Sequence, residues 1–286
     1  MLTFEFSSCQ TSNNTVISWS LGSLRPFNSS LDFGLSFFSP TKPGTYPLII
    51  FLTGLDGLAL GPFYNDFSSQ LVEQSQSIII EFDGLSIIHK QGKEEKMFEK
   101  TLNWTIENID GLFRTDKTPD IIKNLVFPDI KTWGITLMGH SAGSHPPVSY
   151  LNGTCGIIKS KKNYFFNSLF YSKKDIHLKK NCIIGLVLLD PVDGYTTTDH
   201  KPSDFITHPP IQLPFITPTL IIATGFDSLP LFPHIGAPCA PTNMSNMRFY
   251  DSLSGPTWYL NFTSYGHMDI FDDFVNIDDE SYFILN

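Results

Sequence analysis

The segment Gly139-His140-Ser141-Ala142-Gly143 follows the apolar run Ile135 to Met138 and sets a serine between two glycines. Glycines two positions either side of a serine let the chain turn sharply from strand into helix, with Oγ thrust out at the turn and the helix N-terminus facing the same point. A serine hydroxyl is a poor nucleophile at its free pKa, so the chemistry also asks for a base and for an acid that orients the base. Of the eight histidines, His267 in Tyr265-Gly266-His267-Met268-Asp269 follows the last expected strand and fits the base. His140 precedes the serine and is expected to point into the core as a structural residue, and His145 falls on the helix behind the turn. Two aspartates compete for the acid. Asp190 closes an apolar run ahead of Pro191, and Asp227 follows the next run. An oxyanion formed by attack on a carbonyl needs two backbone N–H donors, expected from Ala142 and Leu55, with Gly54 allowing close approach. The set amounts to acyl transfer through a serine ester.

These residues need a scaffold that brings the ends of several strands together. Tyr46 to Leu52, Ser77 to Phe82, Ile135 to Met138, Ile183 to Leu189, Leu220 to Ala223 and Trp258 to Phe262 are apolar runs of strand length, expected to be buried on both faces. Helix-length segments fall at about Phe63 to Glu73, about Glu94 to Phe113 and, shortly, after Ser141. Pro146 and Pro147 are expected to shorten or kink that last helix. Strands alternating with helices imply a mostly parallel sheet with helices on both faces, and function gathers at the carboxyl ends of such strands. The first forty residues (Thr3 to Phe6, Val16 to Leu21, Leu31 to Phe38) read instead as antiparallel strands at one edge. No linker or internal repeat interrupts the 286 residues, so a single domain, 1–286, is expected.

The chain is aromatic-rich at 14%, with 25 Phe, and only 16% charged, which excludes a disordered or coiled-coil reading. A net charge of -9 argues against nucleic acid and anionic membrane surfaces. No stretch reaches the roughly 20 apolar residues of a membrane span, and the first thirty residues lack a signal-peptide pattern. Glycosylation-type triplets at Asn13, Asn28, Asn103, Asn152, Asn243 and Asn261 lean the other way, toward secretion. Of the four cysteines, Cys9, Cys155, Cys182 and Cys239, Cys155 and Cys182 could close a disulfide around a lysine-rich segment, and none has zinc-site spacing. No metal, nucleotide or flavin is called for. Nothing in the sequence sets an oligomeric state.

With these residues in hand, the chain resembles the chlorophyllase family of α/β-hydrolases from about Pro47 to Asp273. The resemblance rests on Leu137-Met138-Gly139-His140-Ser141, Leu188-Leu189-Asp190-Pro191-Val192-Asp193-Gly194, Pro238-Cys239-Ala240-Pro241, and Tyr265-Gly266-His267-Met268-Asp269 with Asp272 and Asp273. It implies an α/β-hydrolase fold and a triad of Ser141, Asp190 and His267, favouring Asp190. Relatives whose acid follows the later strand keep Asp227 in view. It also implies a hydrophobic ester substrate with a long-chain alcohol, such as the phytyl ester of chlorophyll. The chain departs from the family where Ala142-Gly143-Ser144 replaces the usual Arg-Gly-Gly, where Thr53 replaces a histidine, and at 152–181, which is longer than the family's connection and is expected as a surface insertion, with a lid or partner contact as the alternative. Those departures leave room for a general carboxylesterase or lipase. An inactive binding protein on the same scaffold is the alternative of another class.

Overall fold

The computed structural model describes residues 11–12, 15–24, 33–54, 61–83, 94–156, 182–193, 212–227, 230–232, 235–238, 240 and 244–271. In chain order its strands are β1 (Thr11–Ser12), β2 (Val16–Leu24), β3 (Phe33–Pro40), β4 (Gly44–Tyr46), β5 (Leu48–Leu52), β6 (Ile78–Asp83), β7 (Val126–Pro128), β8 (Ile135–His140), β9 (Ile183–Leu189), β10 (Thr219–Thr224), β11 (Pro230–Phe232), β12 (Ile235–Pro238) and β13 (Thr257–Phe262). The helices are α1 (Asn65–Ser75), α2 (Glu94–Glu107), α3 (Ile109–Leu112), α4 (Ile130–Trp133), α5 (His145–Gly156) and α6 (Asn246–Ser252), with 3-10 turns at Gly61–Tyr64 and Ser141–Ser144. Nine strands form one sheet in the order β1-β2-β3-β6-β5-β8-β9-β10-β13. The pairs from β1 to β3, and β3 with β6, are antiparallel. From β6 through β13 every pair is parallel. A mostly parallel sheet with antiparallel N-terminal strands is the architecture expected from the alternation of apolar runs and helical segments.

Side-chain alternation along the central strands sorts the core into two layers. Leu48, Ile50 and Leu52 of β5 pack with Phe98 and Leu102 of α2 and with Val148 and Leu151 of α5. Ile49 and Phe51 of the same strand pack with Tyr64, with Val72 of α1 and with Met138 of β8. Helices therefore cover both faces, which is why β5 is apolar at all five positions and wholly buried. At the antiparallel end Trp19 stacks on Phe37 at 4.8 Å, and Phe113 meets both rings edge-on.

Several boundaries differ from the sequence expectation. The run Tyr46 to Leu52 splits at Pro47, which has no N–H to give a ladder. Its first part, β4, pairs with β7 in a separate two-stranded ribbon. The long helix expected through Phe113 ends at Glu107, where the Asn108 amide donates back to the Trp104 carbonyl. Pro146 and Pro147 do not shorten the helix behind Ser141. They occupy the first turn of the twelve-residue α5, where backbone N–H groups have no helical acceptor to lose. β13 is not buried on both faces: it ends the sheet, and Trp258, Leu260 and Phe262 are exposed. The β11–β12 hairpin was not anticipated.

Among the described residues no helix is long and apolar enough to cross a membrane. Cys182 is a free thiol, half-buried, with its pKa raised by burial. Cys9, Cys239 and the Cys155 side chain lie outside the described atoms, as do Thr3 to Phe6 and most of 152–181. Of the triplet asparagines, Asn261 is exposed on β13, Asn103 and Asn152 are half-buried on α2 and α5, and Asn13, Asn28 and Asn243 lie outside the described residues.

Candidate active site

The carboxyl ends of β5, β8, β9, β10 and β13 converge, and the candidate residues sit there. At the end of β8 the chain passes from extended backbone at His140 into Ser141, whose φ of 55° lies in the left-handed region. A non-glycine residue rarely adopts that conformation, and here the fold holds it. Close packing of the turn explains its glycines. A Cβ on Gly139 would meet the Gly143 carbonyl oxygen at 2.4 Å, and one on Gly143 would meet the Thr53 and Leu52 oxygens at 2.4 and 2.6 Å. All of these are backbone atoms that cannot swing aside. Gly143→Ala should therefore cost about 2–4 kcal/mol and lower the thermal midpoint by roughly 5–12 °C. Gly111→Ala is the control, because a Cβ there meets nothing within 4 Å. Equal melting of the two variants by calorimetry would remove the steric explanation.

Ser141 Oγ lies 2.8 Å from His267 Nε2, and His267 Nδ1 lies 2.9 Å from Asp190 Oδ2. The serine O–H donates to Nε2 when Nδ1–H donates to the carboxylate. Ser141, His267, Asp190 and Asp227 are all buried, none more than 7% exposed. Asp190, at φ 41°, is firmly held. Its carboxylate also accepts from Thr224 N at 3.0 Å, Thr224 Oγ1 at 2.5 Å and Asn246 Nδ2 at 3.0 Å. Tyr259 donates its phenol to Asn246 Oδ1 at 2.7 Å, which turns the amide nitrogen toward Asp190. Farther along the same block, Asp193 is buried and paired with Arg248 of α6 at 2.8 Å, tying the loop after β9 to the helix that carries Asn246. Thr224, Asn246 and Tyr259 lack any motif of their own. Pairing of β10 with β9 brings Thr224 to Asp190, and pairing with β13 sets Tyr259 beside them, where it meets Asn246 of α6.

Asp227 reaches the same imidazole. Its Oδ1 is 3.0 Å from His267 Nδ1, yet the N–H points at Asp190, so among the described residues neither Asp227 oxygen accepts a hydrogen bond. The contact is one of charge. Burial pushes the Asp227 carboxyl up to about 6, against the pull of His267 and with the nearby Asp190 charge adding to the rise. Burial also acts to raise Asp190, but its hydrogen bonds and the imidazolium outweigh it and the net shift is downward. For His267 burial acts to lower the pKa, and the hydrogen bond to Asp190 together with the charges of the two aspartates overcomes it and lifts the imidazolium to about 9.

Asp190, Asp227 and His267 offer ligand atoms within 4.8 Å of one another, a grouping of metal-ligating types. The donor set does not suit a cation. Both Asp190 oxygens already accept from Thr224, Asn246 and His267, and Nδ1 spends its proton on Asp190.

His140 is buried and neutral, its pKa driven to about 3 by burial first and the neighbouring His267 charge second. Its Nε2 donates to the His267 carbonyl at 3.2 Å and its Nδ1 accepts from the Tyr64 hydroxyl at 2.8 Å. That hydroxyl in turn accepts from Gly54 N at 2.9 Å. One structural histidine thus links the ends of β5 and β8 with the His267 loop, as its expected place in the core allows. His145 bonds the Val192 carbonyl and takes no part at Ser141. Ala142 is the second residue of the 3-10 turn Ser141–Ser144, where a first-turn N–H has no partner within its own turn. Leu55, the other expected donor, lies outside the described residues.

A family model described as Chlorophyllase matches residues 15–283. Curated relatives include Chlorophyllase-2 of Arabidopsis thaliana, 27% identical over 243 residues, covering 82% of this chain and 64% of the relative. Chlorophyllase-1 of Arabidopsis thaliana is 23% identical, covering 82% and 62%, and chlorophyllase type 0 of Chenopodium album is 22% identical, covering 84% and 60%. The chain thus spans 60–64% of the length of these relatives. Similar solved structures include esterase LipW from Mycobacterium marinum, with a TM-score of 0.54 and 14% identity over 95% of this chain and 79% of that one. An arylesterase scores 0.51 at 11% identity, covering 85% and 76%, and the Francisella virulence factor BioJ scores 0.51 at 15%, covering 86% and 74%. At such identities the likeness carries the fold alone, and that fold is the α/β-hydrolase fold.

Proposed function

The chain belongs to the chlorophyllase family, and from that premise we propose that it is a serine hydrolase of carboxylic esters, one catalytic domain whose triad is Ser141, His267 and Asp190. The hydrogen-bonded line from Ser141 Oγ through His267 to Asp190 is the observation that supports this most strongly. In the first half-reaction Oγ attacks the ester carbonyl carbon while His267 Nε2 takes its proton. The oxyanion is held by the Ala142 N–H and by a donor from the loop after β5, for which Leu55 is the candidate. Collapse expels the alcohol, which takes the proton from Nε2 and leaves an acyl-serine. Water, deprotonated by the same nitrogen, then releases the carboxylic acid and restores Ser141. Asp190 keeps Nδ1 protonated so that Nε2 is free to accept.

The family supports a hydrophobic ester, with the phytyl ester of chlorophyll as its example. Thr53 and Ala142-Gly143-Ser144 depart from the family pattern beside the reacting centre, which favours keeping a general carboxylesterase as the second reading. Assembly of all three triad members weighs against an inactive binding protein. Assaying the purified chain on chlorophyll a beside a short p-nitrophenyl ester tests the reading. Release of phytol supports the family substrate, cleavage of the short ester alone favours the general esterase, and no turnover of either refutes the proposal.

The charge state of His267 implies a pH dependence. A base must be neutral in the free enzyme, and an imidazolium raised to about 9 is still protonated at pH 7. The ratio kcat/KM should accordingly rise about tenfold per pH unit through the neutral range and level off near pH 9. A profile already flat from pH 6 upward would contradict that state of the imidazole.

A further inference from the structure

Nδ1 of His267 has one hydrogen to give, yet two buried carboxylates stand within 3.0 Å of it. Asp190 takes the hydrogen bond and is satisfied by three further donors. Asp227 is as deeply buried, but no described donor reaches its oxygens. An unsatisfied buried carboxylate is costly, so this one needs a compensating charge, and among the described residues the imidazolium is the cation in contact with it.

We propose that Asp227 is a second acid for His267, a positioning residue that acts by charge on the imidazolium while Asp190 holds the ring and its tautomer. The division of labour follows from geometry: a bond along the N–H direction fixes orientation, whereas a charge beside it stabilises the protonated ring without directing it. The other groups around the ring do not substitute for Asp227. His140, at the end of β8, faces His267 at 4.9 Å between ring centres and is neutral. Tyr259 of β13 has its pKa raised by burial first and by the two carboxylates next, so its phenol stays neutral. Asp269, within the His267 loop, accepts from the Gly266 N–H at 2.7 Å. Among the described residues Ser141 is the remaining polar neighbour, at Nε2.

Two consequences separate this role from a structural one. Removing the Asp227 charge lets His267 release its proton at lower pH, and it leaves the hydrogen-bonded line to Ser141 intact. Asp227→Asn should then move the acid limb of kcat/KM down by about one to three pH units, with the alkaline plateau within about tenfold of wild type.

The kinetic consequence rests on the ester-hydrolase reading, so the test has an arm that does not. NMR titration of the His267 imidazole, assigned by its absence in His267→Gln, is compared between wild type, Asp227→Asn and Asp227→Ser, the second variant guarding against misfolding of the first. A midpoint lowered by one unit or more in a folded variant supports the second acid, even if wild type proves inert to esters and the hydrolase reading falls. An unchanged midpoint overturns it, as does a wild-type midpoint at or below about 6.5, the ordinary histidine value. In an active enzyme, a plateau loss of a thousandfold with no movement of the acid limb also overturns it, because Asp227 would then be the orienting acid.

Discussion

Ser141→Ala is expected to lower kcat/KM by a thousandfold or more, about 4 kcal/mol of transition-state stabilisation, while the fold and melting temperature stay close to wild type. The magnitude follows from what the side chain does. Without Oγ there is no acyl-enzyme, and hydrolysis must proceed by direct attack of water held only by the oxyanion donors. Stability should survive because the substitution removes one atom and leaves the backbone free to keep the φ of 55° imposed by the surrounding turn. The packing at Gly139 and Gly143, and the Ser144 Oγ bond to the Gly139 carbonyl at 3.1 Å, do not involve the Ser141 hydroxyl. A variant that folds and still turns over ester at the wild-type rate would remove Ser141 from the chemistry.

Asp190→Asn should be nearly as severe, about a thousand- to ten-thousandfold in kcat. An amide matches the carboxylate in shape but carries an NH₂ group. With Thr224 N and Oγ1 and Asn246 Nδ2 all donating to this side chain, two donors would face one another wherever the amide nitrogen points. If it points at His267, it forces the tautomer with the proton on Nε2, which cannot accept from serine. The same substitution at Asp227 meets no such ring of donors, so the two variants should differ by two orders of magnitude or more at alkaline pH. Steady-state kinetics at pH 9 on both variants decides the matter, and near-equal losses would argue against Asp190 as the orienting acid.

Much of the site was legible because its parts are local. The turn around Ser141 announces itself through glycines whose Cβ positions are filled by backbone, and His267 sits in a short segment just past the last strand. Parallel strands bring their carboxyl ends together, so the chain order of serine, aspartates and histidine could be read as a constellation. Choosing between Asp190 and Asp227 was not possible from order alone, and the contact of both with one nitrogen belongs to tertiary geometry. The same holds for Asn246, which reaches Asp190 from a helix, and for Tyr259, which holds Asn246 from an edge strand. Tyr64 likewise joins Gly54 to His140 across the end of the sheet without a motif to mark it.

The misread elements have local causes. Trp258, Leu260 and Phe262 look like one face of a buried strand, and hydrophobicity cannot tell a sheet's last strand from an inner one. Pro47 marked the break between β4 and β5, but the apolar residues on both sides hid it. Prolines in α5 looked disruptive because the start of the helix was not fixed. Once the 3-10 turn carries the chain to Ser144, both fall where proline does no harm.

The most direct test of the central claim, that Ser141 is a nucleophile activated by His267, is covalent capture. The purified chain is treated with a phosphonate ester bearing a good leaving group and then digested, and the modified peptide is sequenced by mass spectrometry. One adduct per chain is expected on Ser141, its formation slowed at least about a hundredfold in His267→Gln. An ester-hydrolysing preparation that takes no label at Ser141, or labels another residue with loss of activity, would contradict the claim.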